Sequence, residues 1–323
     1  MAKKALGPAM LELVAAVEEA LDRLGEKGAV PLLVGCSGGA DSLALVAATA
    51  VVAQRREVLA RALVIDHGLQ DDSDAVARKA ATRAERLGLP TDIVAVTVVP
   101  DGTGPEASAR TARHAALAEV ADALGAIVLL GHTLDDQAET VLLGLARGSG
   151  ARSLSGMAPA RDVFVRPFLG VRREVTEAAC AELDTKFWRD PHNDDLGYAR
   201  VRVRKKVMPM LEAQLGPGIA EALARTAVML RDDTQVLDDL AAKAIPDGVL
   251  TDRELSVAEL PKEQALRRRI LRRWLLAHGA AEPAYTQVKA VDSLITDWHG
   301  QKWIEVSGLR VGRRGGRLAV MTD

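Results

Sequence analysis

Short apolar runs alternate with longer amphipathic stretches between residue 29 and about residue 147. The runs are rich in β-branched residues, and the stretches repeat apolar positions every three to four residues, so the pattern predicts strands alternating with helices. Such βαβ units form a parallel sheet covered on both faces. A further amphipathic helix is predicted within residues 1–24. The predicted strands are AVPLLVG (29–35), ALVID (62–66), TDIVAVTVV (91–99) and AIVLLG (126–131), and the predicted helices span about 42–54, 73–87 and 106–124, with another after AIVLLG.

The alternation stops after about residue 147, where an irregular stretch rich in arginine and glycine begins. From the GPG at 216–218 onward the pattern is mainly helical, and WIEVSGLRVGRRGGRLAVM at the end predicts two short strands joined through glycines. We therefore predict an α/β fold with a Rossmann-like parallel-sheet domain over 1–215. A smaller, mainly helical C-terminal domain with a terminal β-hairpin is predicted over 216–323.

Composition narrows the class of protein. The 323 residues are 48% hydrophobic and 27% charged, with a formal net charge of -2, which is typical of a globular protein. A near-neutral total leaves room for an RNA partner, because phosphate binding needs local clusters of arginine and lysine. The only cysteines are Cys36 and Cys180, without zinc or iron–sulfur ligand spacing, so we expect a reducing cytoplasmic location. No apolar run is long enough to predict a membrane span.

The loop after the first predicted strand, GCSGGADS (35–42), has the chemistry of a phosphate site. Gly38 and Gly39 would let the backbone approach an oxyanion at a helix start, and Ser37 and Ser42 would add hydroxyl donors. Asp41 beside phosphate implies Mg2+, since a carboxylate and a phosphate repel each other without a cation between them. A plain glycine turn with a capping serine is the simpler interpretation of SGG alone.

A second polar loop, GHTLDDQAET (131–140), follows the fourth predicted strand. Its spacing puts Asp135 or Asp136 on the same helix face as Glu139, at the end of the helix that attracts negative charge. Capping of the helix would account for one of these carboxylates but not for the cluster. We expect the cluster to face the same sheet edge as the phosphate loop.

These motifs resemble a known family. SGGADS resembles the PP-loop of the N-type ATP pyrophosphatases, and together with DHGLQDDS, GHTLDDQAET and DPHND…YARVRVR it resembles the tRNA(Ile)-lysidine synthetases, in order from about residue 30 to residue 212. The resemblance implies an enzyme that adenylates the wobble cytidine of tRNA(Ile) with a CAU anticodon. Free L-lysine then displaces AMP to give lysidine, so the tRNA reads AUA.

The resemblance also implies roles for individual residues. The catalytic set would be Asp41, Asp136 and Glu139, with Asp41 on Mg2+ and the other two forming an anionic pocket for the lysine ammonium group. A neutral structural role is the alternative interpretation for His67 and His132. The residues expected to hold ATP are Ser37, Gly38, Gly39, Asp41, Ser42, Asp66, His67, Gly131 and His132.

Five arginines are candidates for RNA contacts. Arg110 and Arg113 match a family segment that faces the substrates, although a solvated helix face explains their spacing nearly as well. In YARVRVR, an extended backbone would project Arg200, Arg202 and Arg204 to one side as a basic strip. The family pattern is not followed at Thr133, His192 and Val201, where it often has histidine, serine and asparagine.

The C-terminal part offers weaker signals. In LRRRILRRW (266–274) we expect a helix with its charges toward solvent, whereas RVGRRGGR (310–317) has the pattern of a hairpin that could contact phosphate. Trp298 and Trp303 are interpreted as core residues. A homodimer is possible.

Two other functional classes compete with lysidine synthesis. A PP-loop thiolase acting on tRNA would need additional cysteines to carry sulfur, and an amidotransferase-fed synthetase would need a nucleophilic cysteine arrangement. A non-catalytic nucleotide- or tRNA-binding module would not need three acids close to a polyanion.

Overall fold

The computed structural model describes residues 5–68, 72–99, 105–148, 150–245 and 248–321. These residues form two compact units, the first within 1–143 and 156–225 and the second within 144–155 and 226–323. A division by packing does not test whether the segments fold independently, so the domain boundary near Gly216 stays a prediction. Among the described residues, no helix combines the length and the apolar content needed to cross a membrane.

A six-stranded sheet forms the centre of the first unit, in the order β3-β2-β1-β4-β6-β5. All neighbouring strands are parallel except the edge pair β5 and β6. The four predicted strands are confirmed, while the two-residue strands β5 and β6 lie in the stretch predicted to be irregular. The strands are β1 (Leu32–Gly35), β2 (Ala60–Asp66), β3 (Thr91–Ala95), β4 (Ile127–Leu129), β5 (Ala160–Arg161) and β6 (Phe164–Val165).

The predicted helices of this part are confirmed to within a few residues at each end. Short 3-10 segments at Gly25–Ala29, Pro167–Gly170 and Pro191–Asp194 connect the longer elements. The α-helices that begin in this unit are α1 (Pro8–Asp22), α2 (Ala40–Arg56), α3 (Ser73–Arg86), α4 (Pro105–Leu124), α5 (Leu134–Ala146), α7 (Arg173–Glu182), α8 (Ala199–Arg202), α9 (Met208–Leu215) and α10 (Ile219–Lys243), whereas α6 (Ala151–Leu154) belongs to the second unit.

Alternate residues of β1 pack into two apolar layers on opposite faces of the sheet. Leu32 and Val34 belong to a core shared with α1, α2, α3 and α7, whereas Leu33 packs in a second core with Leu117 of α4. Because successive strand side chains point to opposite faces, this confirms a sheet covered on both sides. Between β1 and β4 the chain connections leave in opposite directions, which is where ligands bind in open α/β sheets.

The second unit pairs helices with an antiparallel sheet. Its core surrounds the fully buried Trp274. The predicted terminal hairpin is confirmed as β9 and β10, within a four-stranded sheet of order β7-β10-β9-β8. Its elements are α11 (Gln264–Ala277), α12 (Tyr285–Thr296), β7 (Glu254–Ser256), β8 (Ile304–Val306), β9 (Leu309–Arg314) and β10 (Arg317–Met321).

Three side chains of this unit differ from expectation. Trp298 and Trp303 are each 45% exposed, so their assignment to the core was wrong. Both rings instead carry an arginine guanidinium over one face, at 5.0 and 5.7 Å from the ring centroid. In α11, Arg267 is buried and bonds the buried Asp292 at 2.6 Å, so the charges of this helix are not all on the solvent side.

Candidate active site

The SGGADS loop connects β1 to α2. Gly38 has a φ of +79°, and a Cβ atom there would lie 2.9 Å from the Cβ of Ala80, so both the backbone and the available space require glycine. The Ser42 hydroxyl accepts from the Ser37 backbone N–H at 3.1 Å and donates to the Gly39 carbonyl at 3.0 Å. These bonds fix the loop at the start of α2, where backbone N–H groups lack helical partners and favour an anion.

Asp41 lies in the first turn of α2, with its side chain 27% exposed. Its Oδ1 accepts from the Thr176 hydroxyl, and its Oδ2 lies 3.6 Å from Nε of Arg173. Burial raises the pKa of Asp41 from its ordinary 3.8 to about 6, although Thr176 and Arg173 oppose this rise. Asp41 is therefore a carboxylate held at an energetic cost beside the loop.

The second polar loop packs directly on the first. A Cβ atom on Gly131 would lie 2.9 Å from the carbonyl oxygen of Asp41, so only glycine allows this approach. Thr133 and Asp136 then cap α5 reciprocally: Asp136 Oδ2 accepts from the Thr133 N–H at 2.9 Å and from its hydroxyl at 3.0 Å. Asp136 thus has a structural capping role in addition to any chemical one.

Asp135 has a different set of partners. Its Oδ2 accepts from the backbone N–H of Arg173 at 2.8 Å, and its Oδ1 pairs with Arg172 at 3.0 Å. The carboxylate therefore caps the first turn of α7. It is Asp136, and not Asp135, that shares its arginine partners with Glu139.

Three arginines converge on the carboxylates Asp136 and Glu139. Arg173 Nη2 lies 2.8 Å from Asp136 Oδ1. Glu139 is 2% exposed and accepts from Arg200 Nε at 2.9 Å and from Arg204 Nε at 2.6 Å. Charge-assisted bonds of this kind hold side chains in fixed directions.

With Asp41, the cluster contains three carboxylates and three guanidinium groups. Burial alone would raise the pKa of Asp136, but Arg173 and Arg200 outweigh burial and hold it below its ordinary value. Burial lowers the pKa of Arg173, and the surrounding acids, Asp136 first, outweigh it and raise the net value. The expected anionic pocket therefore needs correction: its carboxylates are present, but arginines balance their charge.

The basic segment YARVRVR is helical, so the prediction of an extended basic strip was wrong. It forms α8 and continues as a π-helical turn at Val203–Val207. Helical spacing brings Arg200 and Arg204 to one side, toward Glu139, whereas Arg202 turns away and donates to the carbonyls of Leu196 and Gly197. The two valines between these arginines, Val201 and Val203, are both buried in this helical conformation.

The end of β2 lies beside α4. Arg113 Nε donates to His67 Nε2 at 3.2 Å, and Asp66 Oδ1 accepts from the Gly68 N–H at 3.0 Å. Burial, followed by the charge of Arg113, lowers the pKa of His67. Nδ1 of His67 and Nδ1 of His132 are buried without a hydrogen-bond partner among the described residues. Arg110 is exposed on the same helix.

The structure shows what the side chains do at the three positions that depart from the family pattern, Thr133, His192 and Val201. Thr133 is the N-cap described above. Val201 is buried, and the exposed ring of His192 bonds Asp190 at 2.9 Å through Nδ1. None of the three removes a side chain from the carboxylate cluster.

Arg173 and Thr176 were missed by the sequence analysis. Both lie in the first turn of α7 and contact Asp41. The sequence carried one signal: Arg172 and Arg173 stand at a helix N-terminus, where positive charge is unfavourable unless acids face it. Their paired acids are distant in the chain, so the partner could not be identified from spacing.

A cavity of about 170 Å³ opens beside Glu139. Its wall combines acids, arginines and apolar groups. The lining residues are Asp135, Glu139, Arg172, Arg173, Arg204, Met208, Pro209, Glu212 and Ala220. A guest with an aliphatic stem and charged groups at its ends matches this lining.

The donor set near the phosphate loop fits a magnesium ion carried by a nucleotide. Among the described residues, no three His, Cys, Asp or Glu side chains are arranged so that they could hold a metal ion together. Mg2+ in phosphate sites is usually held by one or two carboxylates together with substrate phosphates and water. Asp41, partly exposed beside the loop, can supply that single carboxylate.

The chain is similar to known proteins over most of its length. A family described as "PP-loop domain" matches residues 13–211, and one described as "TilS substrate binding domain" matches residues 257–319. Proteins named tRNA(Ile)-lysidine synthase are similar throughout: those of Leifsonia xyli and Mycolicibacterium paratuberculosis are each 50% identical, over 89% and 90% of this chain and 88% and 90% of theirs. That of Thermobifida fusca is 49% identical over 90% of this chain and 92% of its own.

A solved structure shows the fold alone. The U34-tRNA thiolase NcsA from Methanococcus maripaludis, with its [4Fe-4S] cluster, superposes with a TM-score of 0.59 at 18% identity. The match covers 69% of this chain and 78% of the thiolase. The two buried cysteines of this chain are too few to hold such a cluster. By its PP-loop domain and its extended similarity to these synthases, the chain belongs to the tRNA(Ile)-lysidine synthase family.

Proposed function

We propose that this protein forms lysidine at the wobble cytidine of tRNA(Ile) with a CAU anticodon, using ATP and free L-lysine. One observation carries the proposal: in a chain of this family, the phosphate loop and the carboxylate cluster meet at the switch point of the sheet. The close approach of Gly131 to Asp41 joins the two. The site then serves two steps, adenylation of the base and displacement of AMP by an amine.

The adenylation step uses the first loop. The cytidine O2 attacks the α-phosphorus of ATP, and pyrophosphate leaves. Ser37, Gly38, Gly39 and Ser42 would hold the leaving phosphates through hydroxyl and backbone donors at the start of α2. Asp41 would hold Mg2+, which neutralises phosphate charge when bound.

The second step needs a place for lysine. The cavity beside Glu139 has apolar walls for the aliphatic stem, and Arg172 lies on the same lining for the α-carboxylate. Glu139 would receive the ammonium group, as a carboxylate has about four lone-pair sites. Because the cluster is already charge-balanced, the extra positive charge is offset by the carboxylate of the lysine and the phosphates of ATP.

Displacement of AMP requires that the ammonium group lose protons. The amine of free lysine has an ordinary pKa of about 10.4, so a nearby acceptor is needed at neutral pH. Asp136, whose pKa is held low, is suited to keep its charge. Asp41 would already be engaged by Mg2+, so we assign proton transfer to Glu139, which would contact the ammonium group, as a testable role.

We assign the RNA-facing side to α4 and the strand ends next to it. Arg110 and Arg113 are exposed there, while His67 and His132, with their buried Nδ1 atoms, stay candidates for binding the nucleotide. Arg200 and Arg204 are bonded to Glu139, which supports a role in positioning that carboxylate. We place the reaction in the cytoplasm, where Cys36 and Cys180 stay reduced; a homodimer stays a prediction.

The direct test is incorporation of radiolabelled lysine into an unmodified tRNA(Ile) CAU transcript with ATP and Mg2+. A transcript that differs only at the wobble base is the matched substrate control. ATP-dependent label confined to the cytidine transcript is expected, with one AMP and one pyrophosphate released per lysine attached. AMP release with another acceptor and no lysine label would reject lysidine synthesis but keep ATP pyrophosphatase chemistry.

A further inference from the structure

A second group of basic side chains, distinct from the carboxylate cluster, lies at the ends of β4 and β6. Arg166 directly follows β6, His132 follows β4, and Arg110 and His114 lie on α4. The charges of Arg110 and Arg166 lower the pKa values of both histidines, and that of Arg110 also lowers the pKa of Arg166, so the four residues are neighbours. The His114 ring packs against Phe164 of β6 at 4.9 Å between centroids. We call Arg110, His114, His132 and Arg166 the α4–β6 group.

Arg166 has no carboxylate within ion-pair distance among the described residues. Its Nη1 donates to the Ala158 carbonyl at 2.9 Å, and its Nε is buried without a partner. Burial, then the charges of Arg110 and Arg161, lower its pKa. A half-buried charge without a counterion is costly. In contrast, Arg173 faces the acids of the catalytic cluster.

The two histidines of the group do not add charge at neutral pH. Burial, followed by the arginines, lowers the pKa of His114 to about 4. Burial, with Arg166 and Arg110, lowers that of His132 to about 3 against the opposing charge of Asp136. The group therefore offers guanidinium charge beside neutral imidazoles. Such a combination suits a ligand that joins an anion to neutral hydrogen-bonding groups, as a nucleotide does.

We propose that Arg166, with Arg110 beside it, binds a backbone phosphate of the RNA substrate. The shared chemistry is a phosphate group, and ATP is the other possible source. Position favours the RNA: β6 lies two strands from β1, about 10 Å from the strand that carries the phosphate loop. Arg110 is exposed, so the group is open to a long chain. The inference rests on the proposed function, in that the RNA is the tRNA substrate.

The test compares RNA and ATP binding by the full chain. Affinity for the unmodified tRNA transcript would be measured without ATP from about 50 to 200 mM salt, because each phosphate contact with single-stranded RNA contributes about 0.7 to the salt slope. Arg166→Gln is expected to weaken RNA binding roughly five- to ten-fold at about 50 mM salt and to reduce the slope of log affinity against log salt concentration by about 0.7. The affinity of the variant for Mg·ATP alone should stay within about two-fold of the wild-type affinity.

Arg161→Gln is the matched control, since Arg161 is an exposed arginine on the neighbouring strand whose nearest acid is Asp162 at 3.7 Å. It should leave the salt slope unchanged. Weakened ATP binding by Arg166→Gln with an unchanged RNA slope would assign the phosphate to the nucleotide and overturn the proposal. No change in either affinity would also overturn it.

A second variant and a separate activity measurement distinguish the remaining outcomes. If Arg166→Gln melts well below the wild type, Arg110→Gln on the exposed face decides the question: a reduced salt slope supports the shared phosphate, and an unchanged slope refutes it. Lysine incorporation by the wild type tests the proposed function separately. A wild type that binds the transcript but attaches no lysine would reject that function and leave the Arg166 comparison valid.

Discussion

Asp41→Asn is expected to stabilise the ligand-free protein at neutral pH while abolishing its activity. The carboxylate is 27% exposed and its pKa is raised by burial from 3.8 to about 6. A raised pKa means that the folded state prefers the protonated, neutral form of the acid. Asparagine imitates that neutral form, so the variant removes a cost that the ionised wild type bears above about pH 6.

The size of this gain follows from the pKa values. One pKa unit is about 1.4 kcal/mol, so the rise from 3.8 to about 6 corresponds to about 3 kcal/mol at neutral pH. Partial exposure and the loss of the bond from Thr176 reduce this, and we expect about 1 to 3 kcal/mol. For a unit of this size that raises the melting temperature by about 3 to 10 °C.

The contribution of Asp41 to stability depends on pH in the opposite direction to that of most acids, whose pKa is lowered by folding. Because the folded-state pKa is the higher one, the folded protein binds more protons than the unfolded chain between about pH 4 and 6. The wild type therefore gains stability from this group as pH falls through about 6. At about pH 5 most folded Asp41 is protonated while the unfolded group is ionised, so the advantage of Asn drops to roughly half.

Differential scanning calorimetry of both proteins at about pH 7.5 and 5 measures this directly. The relevant transition is the one that Mg·ATP raises in the wild type by mass action; in Asp41→Asn it should not move. Exposed Asp122→Asn is the control. A variant less stable than the wild type at neutral pH, or equally stabilised at both pH values, would refute the reasoning.

Three further changes test the rest of the structure. Gly131→Ala puts a Cβ atom 2.9 Å from the carbonyl oxygen of Asp41, and should slow pyrophosphate release about 10- to 100-fold. A wild-type rate would contradict this, because it would mean that the two loops move apart without loss of activity. Glu139→Gln should lower lysine incorporation on the order of 100-fold with unchanged ATP affinity, and near-normal turnover would remove Glu139 from the lysine site. Asp292→Asn should destabilise the second unit by about 3 to 5 kcal/mol, because buried Arg267 loses its counterion; a calorimetric loss below about 1 kcal/mol would contradict this.

The strands and helices between residues 29 and 147 could be predicted because each of them follows one local pattern of hydrophobic residues. Period-two and period-3.6 patterns located β1 to β4 and the helices between them, and glycine and serine marked the loop after β1. Strand β6 has only two residues, Phe164 and Val165, too few to show a period. Its place in the sheet depends on pairing with β4, which no local pattern reports.

In the segment at 198–207 the arginines were identified from the sequence, but the secondary structure expected for them was wrong. Alternating arginine and valine suits a strand with one apolar face, but Val201 and Val203 are both buried in a helix that turns into a π-helical segment. Tertiary packing overrode the period-two pattern. The π turn changes the angle between successive residues, and such turns often occur at functional sites.

The charge of the candidate site was the least predictable property, because charge balance depends on contacts between distant segments. Asp136 and Glu139 come from α5, and their hydrogen-bonded arginines come from α7, α8 and the π-helical turn after α8, 37 to 68 residues away. A cluster of acids in a sequence therefore does not establish an anionic pocket. Only the folded chain shows that these carboxylates are paired, while Arg166 has no acid within ion-pair distance in the described part of the chain. Arg166, the arginine at the end of β6 without a paired acid among the described residues, therefore marks the place where we expect the phosphate backbone of the RNA to bind.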